Sequence, residues 1–228
     1  RAEALHALAG DNGGKPFAAD CLTEDYLLAL SLARRKARSL FLLPWRRSGK
    51  GAWRLVAVEE CFPDRLRAAI RQRARWMIGI ALQAPRRLGR FGNGWQRLFL
   101  LQDRMMIVFA LTDLAALLLA LCGMGALACG WERMTALIPA GPAAMMVAGI
   151  NLLLGVWRGG MRIWMTARLY GWRFASAVPL RWPLGIVING AAACRACVLY
   201  WSACARRRLP RWDKTAHRFP TMAAQKGL

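Results

Sequence analysis

Acidic residues are scarce in this 228-residue chain: 12 Asp and Glu stand against 34 Lys and Arg, a formal net charge of +22. Missing alongside the bases is any recognisable reading motif that would gather them, so the charge does not argue for nucleic acid as a partner. Anionic lipid headgroups and phosphate-bearing ligands are expected instead. Histidine is nearly absent, with two in all, so the Cys194-Arg-Ala-Cys197 pair has no second pair or His cluster to complete a zinc site. The seven cysteines are odd in number and lack extracellular disulfide spacing, and Cys122, Cys129, Cys194, Cys197 and Cys204 lie in apolar surroundings, so reduced thiols are expected. No signal peptide precedes the polar part, and the first residue is Arg rather than Met, so the chain reads as a fragment or as a gene missing its beginning.

Apolar residues are abundant. They make up 57% of the chain, the mean hydropathy is positive at +0.25, and there are eleven tryptophans, a side chain that favours the membrane boundary. Residues 105–129 form a first expected span, 25 residues whose only charge is Asp113. A second, 134–157, has 24 residues with no charge at all, and Pro139, Pro142 and Asn151 are candidate kinks. The only charges between the spans are Glu132 and Arg133. Residues 1–104 hold twenty Lys or Arg, and Arg158, Arg162, Arg168 and Arg173 follow the second span. The positive-inside rule therefore puts both flanks in the cytoplasm and the short turn on the opposite side of the membrane. Pro179, Arg181, Pro183 and Arg195 interrupt the apolar stretch 179–205, and an arginine at mid-membrane costs about 2.5 to 3.5 kcal/mol. A crossing there would also export Arg206, Arg207, Arg208, Arg211 and Lys214. The stretch is read as interfacial or re-entrant, and the arginine stripe from 158 to 173 as a surface segment whose continuity Gly171 puts in question. The tail 206–228 is basic and cytoplasmic on this reading.

The polar part opens with Gly10-Asp11-Asn12-Gly13-Gly14 ahead of Pro16-Phe17, so residues 1–20 read as a loop. Thr23 to about Arg38 has helical apolar spacing and a basic end. Residues 39–43 and 53–58 read as two strands split by a basic loop at 46–51. A helix opens at Pro63 or Asp64, and Leu66, Ile70, Ala74, Met77, Ile78 and Ala81 form its inward face until Pro85 stops the pattern. Arg86, Arg87 and Arg90, with Phe91 and Trp95 interleaved, suit a segment lying on headgroups.

Two patterns carry chemistry. In a helix, Gln72, Arg75 and Trp76 of IRQRARWMIGIALQ share one face, offering an amide, a forked guanidinium and a flat indole to a phosphate and a neighbouring sugar. An ordinary basic amphipathic helix would show the same string. Upstream, Thr23-Glu24-Asp25 places two carboxylates at a helix start, where capping and the helix dipole offer a plainer explanation. Taken together, TED followed by QxxRW and then by spans resembles the inverting family 2 glycosyltransferases of bacterial membranes. The order Asn12 to Phe17, LTEDY (22–26), CFP-D (61–64), RQRARWMIGIALQ (71–83), Gly94-Trp95, QDR (102–104) and WDKTAHRFP (212–220) is similar to the bacteriophage adsorption protein B (NfrB-type) group within them.

That resemblance implies an α/β fold for residues 1–104, the C-terminal portion of a GT-A-like nucleotide-diphospho-sugar transferase domain. Two transmembrane helices (105–157), interfacial or re-entrant helices (158–205) and a cytoplasmic tail (206–228) would follow. It implies transfer of a sugar, with inversion, from a nucleotide-sugar donor to a glycan or lipid-linked acceptor. Asp25 matches the general base with Glu24 supporting it, Arg75 the contact to the leaving diphosphate, and Gln72 and Trp76 the acceptor end. The family's nucleotide-binding half carries an Asp-x-Asp site for Mg²⁺ or Mn²⁺. No Asp-x-Asp occurs in this sequence, so the metal ligands are expected in the intact enzyme and not in this chain, which alone is expected to be inactive. Outer-membrane or envelope partners fit the same resemblance. Two other classes suit the residues: a non-catalytic membrane scaffold derived from a transferase, and a glycan-translocation component in which Asp113, Asn151 and Arg195 are polar groups at membrane depth.

Overall fold

The computed structural model describes residues 2–11, 13–15, 17, 20–38, 40, 42, 44–47, 49, 51, 53–56, 63–130 and 141–208. The chain forms two compact units, one made of Arg1–Ile107 with Ala192–Leu228, the other of Val108–Ala191. Helix dominates both. The α/β class expected from the sequence is not confirmed, because the only sheet among the described residues is a two-stranded hairpin.

In the first unit, α1 (Ala2–Asp11) replaces the loop expected over residues 1–20. The glycines enter only after it, with Gly13 and Gly14 at φ +64° and +86°, and the Gly14 N–H donates back to the Ala9 carbonyl at 2.7 Å. Turn residues thus end a helix rather than exclude one. The second helix, α2 (Glu24–Arg34), closes through Lys36 N–H to Ala33 O and Ala37 N–H to Leu32 O, with Lys36 left-handed at φ 60°. The hairpin pairs β1 (Trp45–Arg47) with β2 (Trp53–Leu55), Trp45 opposite Leu55 and Arg47 opposite Trp53. Its first strand therefore falls later than residues 39–43. Leu40 and Leu42, expected in the first strand, are exposed.

Next comes a long helical run with a change of pitch. After α3 (Leu66–Met77), a π-helical turn, Ile78–Gln83, leads directly into α4 (Ala84–Leu88). Pro85 does not stop the helix as the sequence suggests. It falls in the first turn of α4, and the Ala84 N–H just before it reaches back five residues to Gly79 O, so the wider turn absorbs the break in the ladder. Gly89 at φ +64° ends α4, and the Gly89 carbonyl accepts from Arg104 Nη2 at 2.7 Å. Helix α5 (Gly94–Arg104) starts at a reciprocal cap in which Asn93 Oδ1 accepts from Gln96 N–H and Gln96 Oε1 from Asn93 N–H, both at 3.0 Å. Trp95, Leu98 and Phe99 form an exposed apolar stripe on it. The core at the start of α2 joins Cys21, Leu27 and Ala84, with Tyr26 and Leu88 packed on them. Burying a leucine there contributes about 1.5–3 kcal/mol.

In the second unit lie most of α6 (Met106–Ala128), α7 (Pro142–Tyr170), the short α8 (Trp172–Ala175) and the first half of α9 (Val178–Ala205). Helix α7 runs through the stretch read as a separate arginine segment and ends at Gly171, φ +83°. Helix α9 is continuous where the sequence suggested interruption. Pro179 and Pro183 fall in its first two turns, and arginine is a good helix former whatever its cost in lipid. Three helices, α6, α7 and α9, are thus long and apolar enough to cross a membrane, where two were expected. Small residues set their spacing: a Cβ on Gly190 would lie 2.5 Å from Leu114 Cδ2, and one on Gly159 3.0 Å from the Trp182 ring. No residue of α7 is buried in the protein, as suits a lipid-facing helix.

Several expected features lie outside the described residues: Asn12 and Pro16, Ser39, Phe41 and Leu43, the end of the second strand at 57–58, Cys61-Phe62, the inter-span turn with residues 134–140, and WDKTAHRFP.

Candidate active site

Thr23 begins α2 but does not cap it with its side chain. Its hydroxyl is buried without a hydrogen-bond partner, and the side chain is pressed against Gly79, where a Cβ would sit 2.2 Å from Thr23 Oγ1. Only glycine permits this approach. One turn further on, Gln83 Oε1 accepts the Leu22 N–H at 3.0 Å and Gln83 Nε2 donates to Asp20 O at 3.4 Å. Asp20 in turn pairs with Arg87. The segment 20–23 is therefore held along the π turn and α4, immediately beyond the helix that carries Gln72, Arg75 and Trp76.

On the far side of α2's first turn, Tyr26 donates its hydroxyl hydrogen to Asp103 Oδ2 at 2.8 Å, tying the segment to α5. Burial, then this bond and the Asp103 charge, push the Tyr26 hydroxyl well above its ordinary range, with Arg104 pulling weakly the other way. Asp25 is exposed, and its Oδ1 accepts the Tyr26 N–H at 2.8 Å, while Glu24 beside it is half-buried. The carboxylate proposed as base thus sits on a helix start fixed from two directions.

On α3 the arrangement differs from the expected open face. Gln72 is buried, together with Ala68, Ala74 and Met77, whereas Arg75 and Trp76 are half-buried and Leu66, expected inside, is exposed. Arg75 Nε is itself a buried atom, so the root of the guanidinium is fixed within the fold. Gln72 therefore reads as a buried support at this point rather than an exposed contact. Sequence reasoning missed Gly79, Gln83, Asp20 and Asp103 as the parts that hold the start of α2 in place. Gln83 and Asp103 did lie within conspicuous strings, at the end of RQRARWMIGIALQ and within QDR, without a sign of what they would bind.

A divalent cation finds no ready ligands here. Among the described residues no three His, Cys, Asp or Glu side chains converge on a common point, and the sequence has no Asp-x-Asp. The residues present do not fit such an ion, and no chemical step is assigned to one.

The class of protein follows from the family model: residues 1–206 match the glycosyl transferase family group 2, to which this chain belongs. Within that family the chain is 28% identical, over 243 aligned residues and 96% of its length, to bacteriophage adsorption protein B of Escherichia coli (strain K12), and equally to bacteriophage N4 adsorption protein B of Escherichia coli O157:H7. The chain spans about a third of the length (32%) of these curated relatives. No solved structure matches it.

Proposed function

We propose that this chain supplies the acceptor side and the membrane seat of an inverting glycosyltransferase, which moves a sugar from a nucleotide-sugar donor to a glycan or lipid-linked acceptor of the bacterial envelope. The observation that carries the reading is the clamp of Thr23 on Gly79 and of Leu22 on Gln83, which seats the residues just ahead of the carboxylate pair on the π turn that follows the arginine helix. Asp25 is the base that takes the acceptor hydroxyl's proton, and Glu24 supports it. The Arg75 fork neutralises the departing diphosphate, Trp76 offers a platform for the sugar, and Gln72 orients the helix from its buried side. The names of the two relatives describe phage adsorption, which suits a protein that builds or anchors an envelope structure.

The seat is the cytoplasmic face of the inner membrane. An even number of crossings is favoured by Arg86, which precedes the first span yet donates to Cys204 Sγ at 3.7 Å and stacks over the Tyr200 ring at 5.1 Å, both near the end of α9. Crossings by α6 and α7, with α9 interfacial or re-entrant, satisfy this and keep the basic flanks inside.

The test is sugar transfer by the full-length protein in membranes, measured with nucleotide-sugar affinity and protein level. Asp25→Asn keeps shape and helix-start polarity but removes the base, so transfer should fall by at least about a hundredfold with donor affinity kept. Glu24→Gln should cost less. Near-normal transfer by Asp25→Asn removes the catalytic assignment.

A further inference from the structure

At the end of α9 the chain builds a second polar cleft, away from Asp25. It has a volume of about 310 Å³ and is lined by Gln83, Arg86, Arg87, Tyr200, Arg207 and Arg208, with Cys204 at its edge. Four guanidinium groups share this cleft, and among the described residues no acidic side chain lines it. Asp20 engages Arg87 from outside the lining. Arg86 is held in place by its stack on Tyr200 and its bond to Cys204 Sγ, which fix the plane of its fork before any ligand arrives.

Arg207 is the more informative residue. It ends α9 in the left-handed conformation, φ 51°, with the Arg207 N–H donating to Cys204 O at 3.0 Å and the Arg208 N–H to Ala203 O at 2.9 Å. This is the helix-ending turn in which glycine is the usual residue at the left-handed position. An arginine there is strained where glycine is not, and the side chain it keeps lines the cleft. The position is thus occupied by a charge where backbone preference alone calls for glycine.

We propose that this cleft is a binding site for a phosphate ester, and that its occupant is the headgroup of an anionic membrane lipid. Forked guanidinium groups pair with phosphate oxygens two at a time, while the Tyr200 hydroxyl and Gln83 amide add neutral partners. The cleft closes the end of a 28-residue apolar helix, the level at which basic pockets meet headgroups on the cytoplasmic side. A soluble phosphate would use the same donors, so the source is decided by experiment. The site stands whether or not Asp25 is a base.

The full-length protein, in neutral-detergent micelles supplied in turn with phosphatidylglycerol, phosphatidylcholine or inorganic phosphate, is analysed by native mass spectrometry for retained adducts. Wild type should retain one phosphatidylglycerol in preference to phosphatidylcholine. Arg207→Gly should lower that occupancy by roughly tenfold, the order of one charge-assisted bond, while thermal stability is kept or raised because the left-handed residue becomes glycine. Arg86→Gln should weaken retention likewise, and Arg97→Gln on α5, outside the cleft, should not. Retention of inorganic phosphate without lipid, abolished by Arg207→Gly, keeps the phosphate site and overturns the lipid as occupant. Equal occupancy in wild type, Arg207→Gly and Arg86→Gln, or equal retention of phosphatidylcholine, overturns the site.

Discussion

Thr23 shows how one side chain can contradict the local rule that makes it conspicuous. Threonine before a helix is a cap by preference, and the loss of such a cap costs about 1 kcal/mol. Here the hydroxyl accepts nothing from α2 and is buried unpartnered against Gly79. Replacing it with a methyl removes a polar group already shut away from water. Thr23→Val should therefore leave the thermal unfolding midpoint unchanged or raise it, whereas a drop equivalent to about 1 kcal/mol would restore the capping role. Asp25 was legible from its neighbours in sequence, because TED is a short contiguous signal. Gly79 was not, because what it excludes is a contact with a residue more than fifty positions earlier, and nothing local marks such an approach.

At the scale of elements, α2 is fixed at its start from two sides, by Gln83 behind it and Asp103 beside it. The Tyr26 hydroxyl is raised above its ordinary pKa of about 10, so the folded state favours the neutral phenol that donates to Asp103. That stabilisation is fully present below about pH 10, the unfolded value, and is lost as the pH rises through the folded one. Thermal melts of wild type and Tyr26→Phe should differ by about 1 kcal/mol below pH 10 and converge as the pH climbs above it. A constant difference at all pH values would show that the hydroxyl bond is not the source. The helices α2 and α3 were readable from apolar spacing, whereas α5 was read only as a segment suited to headgroups. Helix α1 was obscured because glycines just beyond it dominated the reading, and β1 because basic residues within it resembled a loop. The π turn left no trace, since a change from four- to five-residue bonding alters no composition.

The whole molecule has to satisfy two demands: three helices apolar enough to cross, and an end of α9 that touches the segment ahead of the first span. The even number of crossings proposed above meets both. Intact cells treated with a membrane-impermeant maleimide should modify Cys129, exposed at the end of α6, and spare a cysteine introduced in the tail after Pro220. Equal modification of the two would mean that α9 carries the tail to the outside. Composition gave the two strongest spans because their charge content is so low. For α9 it gave a helix without settling a crossing, since the arginines and prolines that count against a crossing do not count against a helix.

The interrupted first unit also fixes an order of events during synthesis. Residues 84–88 leave the ribosome well before Tyr200 and Cys204, and everything from Val108 to Ala191 is made in between. The stack of Arg86 on Tyr200 cannot form until that intervening chain exists. Completion of the first unit is therefore a late step, one that waits for the whole of the second unit to be made.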